Sequence, residues 1–192
     1  MKKVVFDVET LNTFQEVGSN NPADLDVSVV GIYEYEKDKY STFVLEEFNE
    51  LWKIIENADM FITFNGDHFD VPLLNKYYPG DLLKVKNLDL LKEMHKAAGR
   101  RMKLDQIAEG TLGIHKSGHG LDAIKWWRDG EVEKVKKYCL DDVRITKDLY
   151  EYVLREGKLF FKEGPNLNEV KLDTKDWETP SDISALNFTL PF

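Results

Sequence analysis

The sequence predicts an α/β domain built on one mixed sheet. Three observations carry that expectation. Short apolar runs rich in β-branched residues recur between Val4 and Leu88, as strands require. Amphipathic stretches with apolar residues three or four apart lie between and after them. The resulting order is strand, hairpin, helix, strand, helix, strand, then several helices, an alternation that belongs to α/β architecture.

The first element is Val4-Val5-Phe6-Asp7-Val8-Glu9-Thr10. Val4, Phe6 and Val8 alternate with Val5, Asp7 and Glu9, so an extended strand puts both acids on one face. A strand this apolar belongs in the middle of a sheet, where lone carboxylates are costly to bury. Two acids side by side there need a cation, or one must take a proton. A divalent metal with oxygen ligands would satisfy them. Taken alone, Asp-x-Glu reads equally as two acids solvated at the tip of a strand that ends at Val8.

Leu11 to Asp26 carries Asn, Gly, Ser and Pro in its second half and predicts a long loop. Val27 to Glu36 and Tyr40 to Leu45 are strands joined by the polar turn Glu36-Lys37-Asp38-Lys39, a hairpin. With the first strand they make a three-stranded antiparallel unit. Glu47 to Ala58 is a helix with Phe48, Leu51, Trp52, Ile54 and Ile55 on its stripe. Met60 to Phe64 is a strand ending in the turn Asn65-Gly66-Asp67. Phe69 to Tyr78 is a helix, with Pro72 tolerated in its first turn and Pro79-Gly80 stopping it. Val85 to Leu88 is the last strand of the sheet. Asp89 then caps a helix from Leu90 to Ala98, closed by Gly99.

Leu104 to Leu112 is a helix closed by Gly113, and Ile114 to Gly120 is a loop. Leu121 to Arg128 is a short helix with Trp126 and Trp127. Glu131 to Glu156 is the longest helix, with Val132, Val135, Cys139, Val143, Thr146, Leu149 and Val153 on its stripe. From Gly157 the prolines multiply and periodicity weakens. The expected organisation is one domain over residues 1–156 and a tail, 157–192, packed on it or partly flexible.

Composition narrows the class. With 42% hydrophobic and 32% charged residues, the chain is an ordinary globular sequence. No apolar run reaches membrane-spanning length, and no signal peptide precedes the first strand. One cysteine, Cys139, makes no internal disulfide and excludes a cysteine-rich zinc site. The expectation is a cytoplasmic protein without a membrane partner. The net charge of −9 argues against nucleic acid, but its distribution does not. Residues 84–137 hold 13 Lys and Arg against 8 Asp and Glu, a net +5 inside an acidic chain. A basic rim beside an acidic pocket is what a phosphate-handling enzyme needs.

Two further groups of acids join the first. Asp70, in Asn65-Gly66-Asp67-His68-Phe69-Asp70, falls in the first turn of a helix, where the dipole favours an anion. It reads as a cap or as a ligand. Tyr138 and Asp142, four apart on the longest helix, share a face that flanks the core stripe. Asp142 is therefore near the buried boundary, where a carboxylate needs a partner. Asp7, Glu9, Asp70 and Asp142 could together hold two divalent cations for phosphodiester hydrolysis, with Tyr138 orienting the water.

These residues resemble the motifs of the DEDD superfamily of 3′–5′ exonucleases, the DnaQ-like nucleases of ribonuclease H-like fold. Asp7-Val8-Glu9 is similar to its first motif, Asn65 with Phe69-Asp70 to its second, and Tyr138 with Asp142 to the tyrosine form of its third. The histidine form would need His at the position of Lys137. The segment Gly120 to Arg128 also resembles one in predicted stand-alone nucleases. The resemblance covers residues 1–156. It implies a five-stranded sheet with three antiparallel strands and two further strands alongside, flanked by helices. It implies two Mg²⁺ or Mn²⁺ ions, Asp7 bridging both. It implies single-stranded DNA or RNA 3′ ends as substrate and nucleoside 5′-monophosphates as products. The lack of a strong basic field points to a partner, such as a helicase or polymerase, or to a short substrate. A non-cleaving module of the same fold, binding nucleic acid or a partner protein, is the alternative.

Thr10, Asn65, Phe69, Lys116 and His119 are the candidate substrate-binding residues. Lys103, Lys116 and Arg128 are either backbone-phosphate contacts or solvated helix faces. Of Trp126 and Trp127, at least one is core and the other core or a base-stacking ring. Phe14 is a wedge for the terminal base or an anchor for its own loop. The Ser117–Gly120 loop is a phosphate cradle or a plain turn.

Overall fold

The computed structural model describes residues 1–115, 118 and 120–179. Strands β1 (Lys3–Thr10), β2 (Val27–Glu34), β3 (Lys39–Phe43), β4 (Met60–Thr63) and β5 (Lys86–Asp89) form one sheet in the order β3-β2-β1-β4-β5. The first three pair antiparallel, while β4 is parallel to both β1 and β5. This is the mixed five-stranded sheet expected from the sequence, with the acid-bearing strand at its centre.

Around it lie α1 (Phe14–Val17), α2 (Phe48–Ile55), α3 (Asp70–Asn75), α4 (Leu90–Ala98), α5 (Leu104–Leu112), α6 (Gly120–Arg128) and α7 (Val132–Glu156). Val4, Phe6 and Val8 point to one face, where Phe48, Leu51 and Ile55 of α2 and Val71, Leu73 and Leu74 of α3 cover them. Val5 points to the other face, into a cluster built from α4, α5 and α7. The two-residue period places Asp7 and Glu9 on that second face, under α7.

Helix α7 crosses the sheet at unusually close range. Gly31 of β2 stands opposite Asp7 in the β1–β2 register. A Cβ on Gly31 would lie 2.8 Å from Cys139 Sγ and 3.2 Å from Val143 Cγ2. The missing side chain therefore lets the Tyr138–Asp142 turn of the helix settle directly over the acids of β1.

Three segments differ from the sequence expectation. The stretch from Leu11 to Asp26 is ordered by its own polar groups. Thr13 and Glu16 form a reciprocal capping box on α1, and Asn21 caps a 3₁₀ turn at Pro22–Asp24. The helix after Asn65 is also shorter than its apolar pattern, ending at Asn75. In the tail, β6 (Lys158–Glu163) and β7 (Asn166–Lys171) pair as an antiparallel hairpin across Gly164-Pro165. Leu159, Phe161, Val170 and Leu172 enter the core under α5. Gly110 allows the approach, since a Cβ there would meet the Phe160 carbonyl oxygen at 2.8 Å. Thr111 Oγ1 accepts from the Phe160 N–H and donates to the Phe160 carbonyl, each at 2.8 Å. Beyond it Trp177 stacks on Tyr150, and Glu178 pairs with Lys3 at 2.5 Å. Two short strands with few inward residues each leave little periodicity to detect. Among the described residues, no helix is long and apolar enough to cross a membrane.

Gly31→Ala should destabilise the protein by about 1–3 kcal/mol, because the added methyl must push α7 off the sheet. Urea denaturation of the two proteins measures this; equal midpoints would mean the helix has room to move.

Candidate active site

The site begins at a gap in the sheet. The parallel ladder between β1 and β4 runs only from Lys3–Met60 to Val5–Ile62. Beyond it the chain leaves β4 for the 64–69 turn, and the Val8 N–H needs another acceptor. Asp70 Oδ1 takes that N–H at 2.9 Å. Asp70 thus turns back from the first position of α3 to β1, while the N-cap residue Phe69 makes no side-chain cap bond. Burial first, and then the charge of Asp7, hold its carboxyl well above the usual aspartate range.

On the other side of Asp7 stands α7. Cys139 donates its S–H toward the Asp7 carbonyl at 3.4 Å and the Asp7 carboxylate at 3.6 Å. Ligand atoms of Asp7, Glu9 and Cys139 lie within 4.8 Å of one another. Burial, followed by the charges of Asp7, Glu9 and Asp142, pushes the Cys139 thiol well up. It stays protonated, so it supports Asp7 as a donor and offers no thiolate to a metal. The Tyr138 phenol is raised by burial and by Asp142, Glu9 and Asp7, in that order. It too keeps its proton at neutral pH.

Asp7, Glu9, Asp70, Tyr138 and Asp142 all line one cleft of about 460 Å³. Glu9, Asp70 and Asp142 are 7, 4 and 5% exposed, which leaves little water to screen them. No lysine or arginine lines the cleft among the described residues. Negative charge concentrated this way favours proton uptake, basic partners or bound cations. The available donors are carboxylate oxygens, which fit hard divalent cations such as Mg²⁺ or Mn²⁺ better than thiophilic ones.

A family model described as RNase_H superfamily matches residues 4–154. The chain belongs to the RNase H superfamily. Among solved structures it is similar to the family B DNA polymerase from the hyperthermophilic archaeon Pyrobaculum calidifontis, with a TM-score of 0.60 and 21% identity. That match covers 80% of this chain and 24% of the polymerase chain, so the protein spans about a quarter of that relative's length. At this identity the likeness is one of fold. No curated protein matches the sequence.

On this RNase H-like frame the other sequence candidates fall out unevenly. Thr10, Asn65 and Phe69 line the cleft. Thr10 Oγ1 donates to the Asn12 carbonyl at 3.0 Å, bracing the loop that follows β1. Asn65 adopts a left-handed conformation, φ 69°, and its side-chain oxygen accepts from Arg101. Phe69 packs edge-on against Phe14, which also lines the cleft, so Phe14 both anchors its loop and faces the site. Lys116, Ser117 and His119 lie outside the described residues. Lys103 is exposed at the start of α5. Arg128 is engaged by Glu16 at 2.8 Å and by the Leu11 carbonyl at 3.3 Å, tying α6 to the loop after β1. Trp126 and Trp127 both pack against the cluster around Val135 and Cys139, and Trp126 meets Tyr138 edge-on. Neither lines the cleft.

Four residues of the site escaped the sequence reading. Cys139 was visible only as a core position. Leu121 and Ile124 form an apolar wall on α6, and Leu121 is 71% exposed at the rim; their spacing matched an ordinary core stripe. Asp89 caps α4, as expected, but also accepts the N–H groups of Asn65 and Asp67 at 2.8 and 3.2 Å. It thereby fixes the turn that presents Asn65.

The raised Asp70 carboxyl has a consequence for stability. Folding favours its neutral form, so its contribution is present in acid, below the ordinary aspartate range. It is lost as pH rises through the raised folded value. In EDTA, Asp70→Asn keeps the acceptor for Val8 and should be more stable than wild type at pH 8, with the gap closing toward pH 4. Thermal melts across that range check it, and a constant gap would contradict it.

Proposed function

We propose that this protein is a metal-dependent 3′–5′ exonuclease of the tyrosine DEDD type, acting on single-stranded DNA or RNA ends. One observation carries the reading. Four carboxylates from β1, α3 and α7 converge with a protonated phenol in a single cleft that contains no cationic side chain among the described residues. Asp7, Glu9, Asp70 and Asp142 would hold two divalent cations, Mg²⁺ or Mn²⁺. Bound there, such cations supply Lewis-acid polarisation of water and charge stabilisation of the leaving oxygen.

The chain's own groups do the rest. Tyr138, kept protonated, hydrogen-bonds and orients the attacking water and does not remove its proton. Hydrolysis adds the water oxygen to phosphorus and breaks the P–O3′ bond. The penultimate nucleotide keeps a 3′-hydroxyl and the terminal one leaves as a 5′-monophosphate. Phe14, Phe69, Leu121 and Ile124 give the same cleft apolar surface, suited to the face of a base. Its volume is that of a small-ligand site, which suits a frayed terminal nucleotide and not a duplex. Similarity of fold to part of a DNA polymerase is in keeping with a nucleic-acid substrate, and attachment to a polymerase or helicase would supply affinity that the acidic surface lacks.

Oligonucleotides labelled at either end test the reading in Mg²⁺, Mn²⁺ or EDTA. The expected result is a metal-dependent ladder shortening from the 3′ end, with circular single strands left intact. Asp7→Ala and Asp142→Ala should abolish it, and Tyr138→Phe should slow it about 100-fold through loss of water alignment. Cleavage of circles would indicate an endonuclease. Tight binding without cleavage under any metal would indicate a non-cutting module. Mg²⁺ should also raise the melting temperature of wild type but not of Asp142→Ala.

A further inference from the structure

Several cations of the basic middle third of the chain are paired off. Lys92 binds Asp67 at 2.5 Å, Arg100 binds Glu163 at 2.8 Å and Arg128 binds Glu16 at 2.8 Å. Lys134 and Lys136 pair with Glu131 and Glu133 one turn earlier on or beside α7. Arg101 differs. Among the described residues it makes no ion pair, and its partner is the neutral side-chain oxygen of Asn65.

The segment between α4 and α5 sets that placement. Gly99, at φ 72°, ends α4. Arg100 is drawn to the tail hairpin, stacked over Phe161 and bound to Glu163. Met102 is buried in the core, 4% exposed. Held on both sides, the chain leaves Arg101 exposed and reaching for Asn65. The backbone of Asn65 is pinned, because Asp89 accepts its N–H and that of Asp67. The guanidinium is thus fixed at the lip of a cleft whose own lining carries no cation among the described residues.

We propose that Arg101 binds a substrate phosphate, the one next inward on the 5′ side of the scissile bond. The inference rests on the exonuclease reading. Arg101 reaches the cleft through Asn65 and does not line the carboxylate floor, so it stands off from the reacting phosphate. A guanidinium offers five N–H donors in a planar fork, so it can keep one on Asn65 and present a pair to a phosphate. Holding Asn65 alone would need only a neutral donor. The retained positive charge, unmatched by any carboxylate among the described residues, is the feature a phosphate explains.

Arg101→Gln separates the two roles, since it keeps a donor for Asn65 and removes the charge. The substrates are single-stranded oligonucleotides and the p-nitrophenyl esters of thymidine and uridine 5′-monophosphate, which carry a scissile phosphate and no inward one. The variant should lower the oligonucleotide-to-ester ratio of kcat/KM about tenfold. Oligonucleotide binding should also lose salt sensitivity, its log–log slope becoming shallower by about 0.7. Arg100→Gln, turned toward the hairpin, should leave the ratio where it is. Equal losses on both substrates with an unchanged salt slope would overturn the proposal and make Arg101 a positioning residue for Asn65. If wild type cleaves neither substrate, the exonuclease reading fails, and the salt slope still decides the phosphate contact. An unchanged slope, or no binding at all, overturns it.

Discussion

Everything at the site depends on how closely α7 lies on the sheet at Gly31. That position faces Cys139 and Val143 at distances no side chain would permit. Because Gly31 is paired with Asp7 in the β1–β2 register, the point of closest approach is also where the first acid stands. Cys139 then meets Asp7, while Tyr138 and Asp142 flank it within one helical turn. A larger residue at position 31 would separate the strand acids from the helix acid without touching any of them.

The same closeness concentrates charge at a cost to stability. Burial and acidic neighbours favour the neutral forms of both Asp70 and Cys139. Asp70 also completes the backbone where the β1–β4 ladder ends, so one side chain serves as a strand partner and as a member of the acidic cluster. Acids gathered this closely in a cleft, with shifted titration, are a common mark of a functional site. The thiol of Cys139 fits the same logic as a buried donor aimed at Asp7. It would be lost in an inventory of metal ligands alone.

Cations on the surface follow a complementary pattern. The net-basic middle third is neutralised in part by helix-turn pairs and by bridges to the hairpin and to the loop after β1. Exposed pairs of this type contribute little to stability, so their value lies in where they leave charge unmatched. Arg101 is such a place, and it borders the cleft. The hairpin of residues 158–171, which captures Arg100, therefore helps decide that Arg101 faces the other way.

The local signals in the sequence were sufficient for the central elements. Alternation in Val4–Glu9 put two acids on one face, and the four-residue spacing of Tyr138 and Asp142 put them on one side of a helix, both as the structure has them. The mixed sheet and its antiparallel first three strands were legible from the order of apolar runs and the polar turn between Tyr35 and Tyr40. Such signals rest on period, and period states which face a residue occupies but not what stands opposite. Only the tertiary structure decided that Asp70 bonds to β1, that Cys139 supports Asp7, and that Arg101 reaches Asn65. It also decided that the tail pairs as a hairpin against Gly110 and Thr111, where short strands are held by a partner remote in the chain. Contacts between distant segments depend on strand order, close approach and the competition of buried polar groups for partners, and none of these is written in the spacing of neighbouring residues.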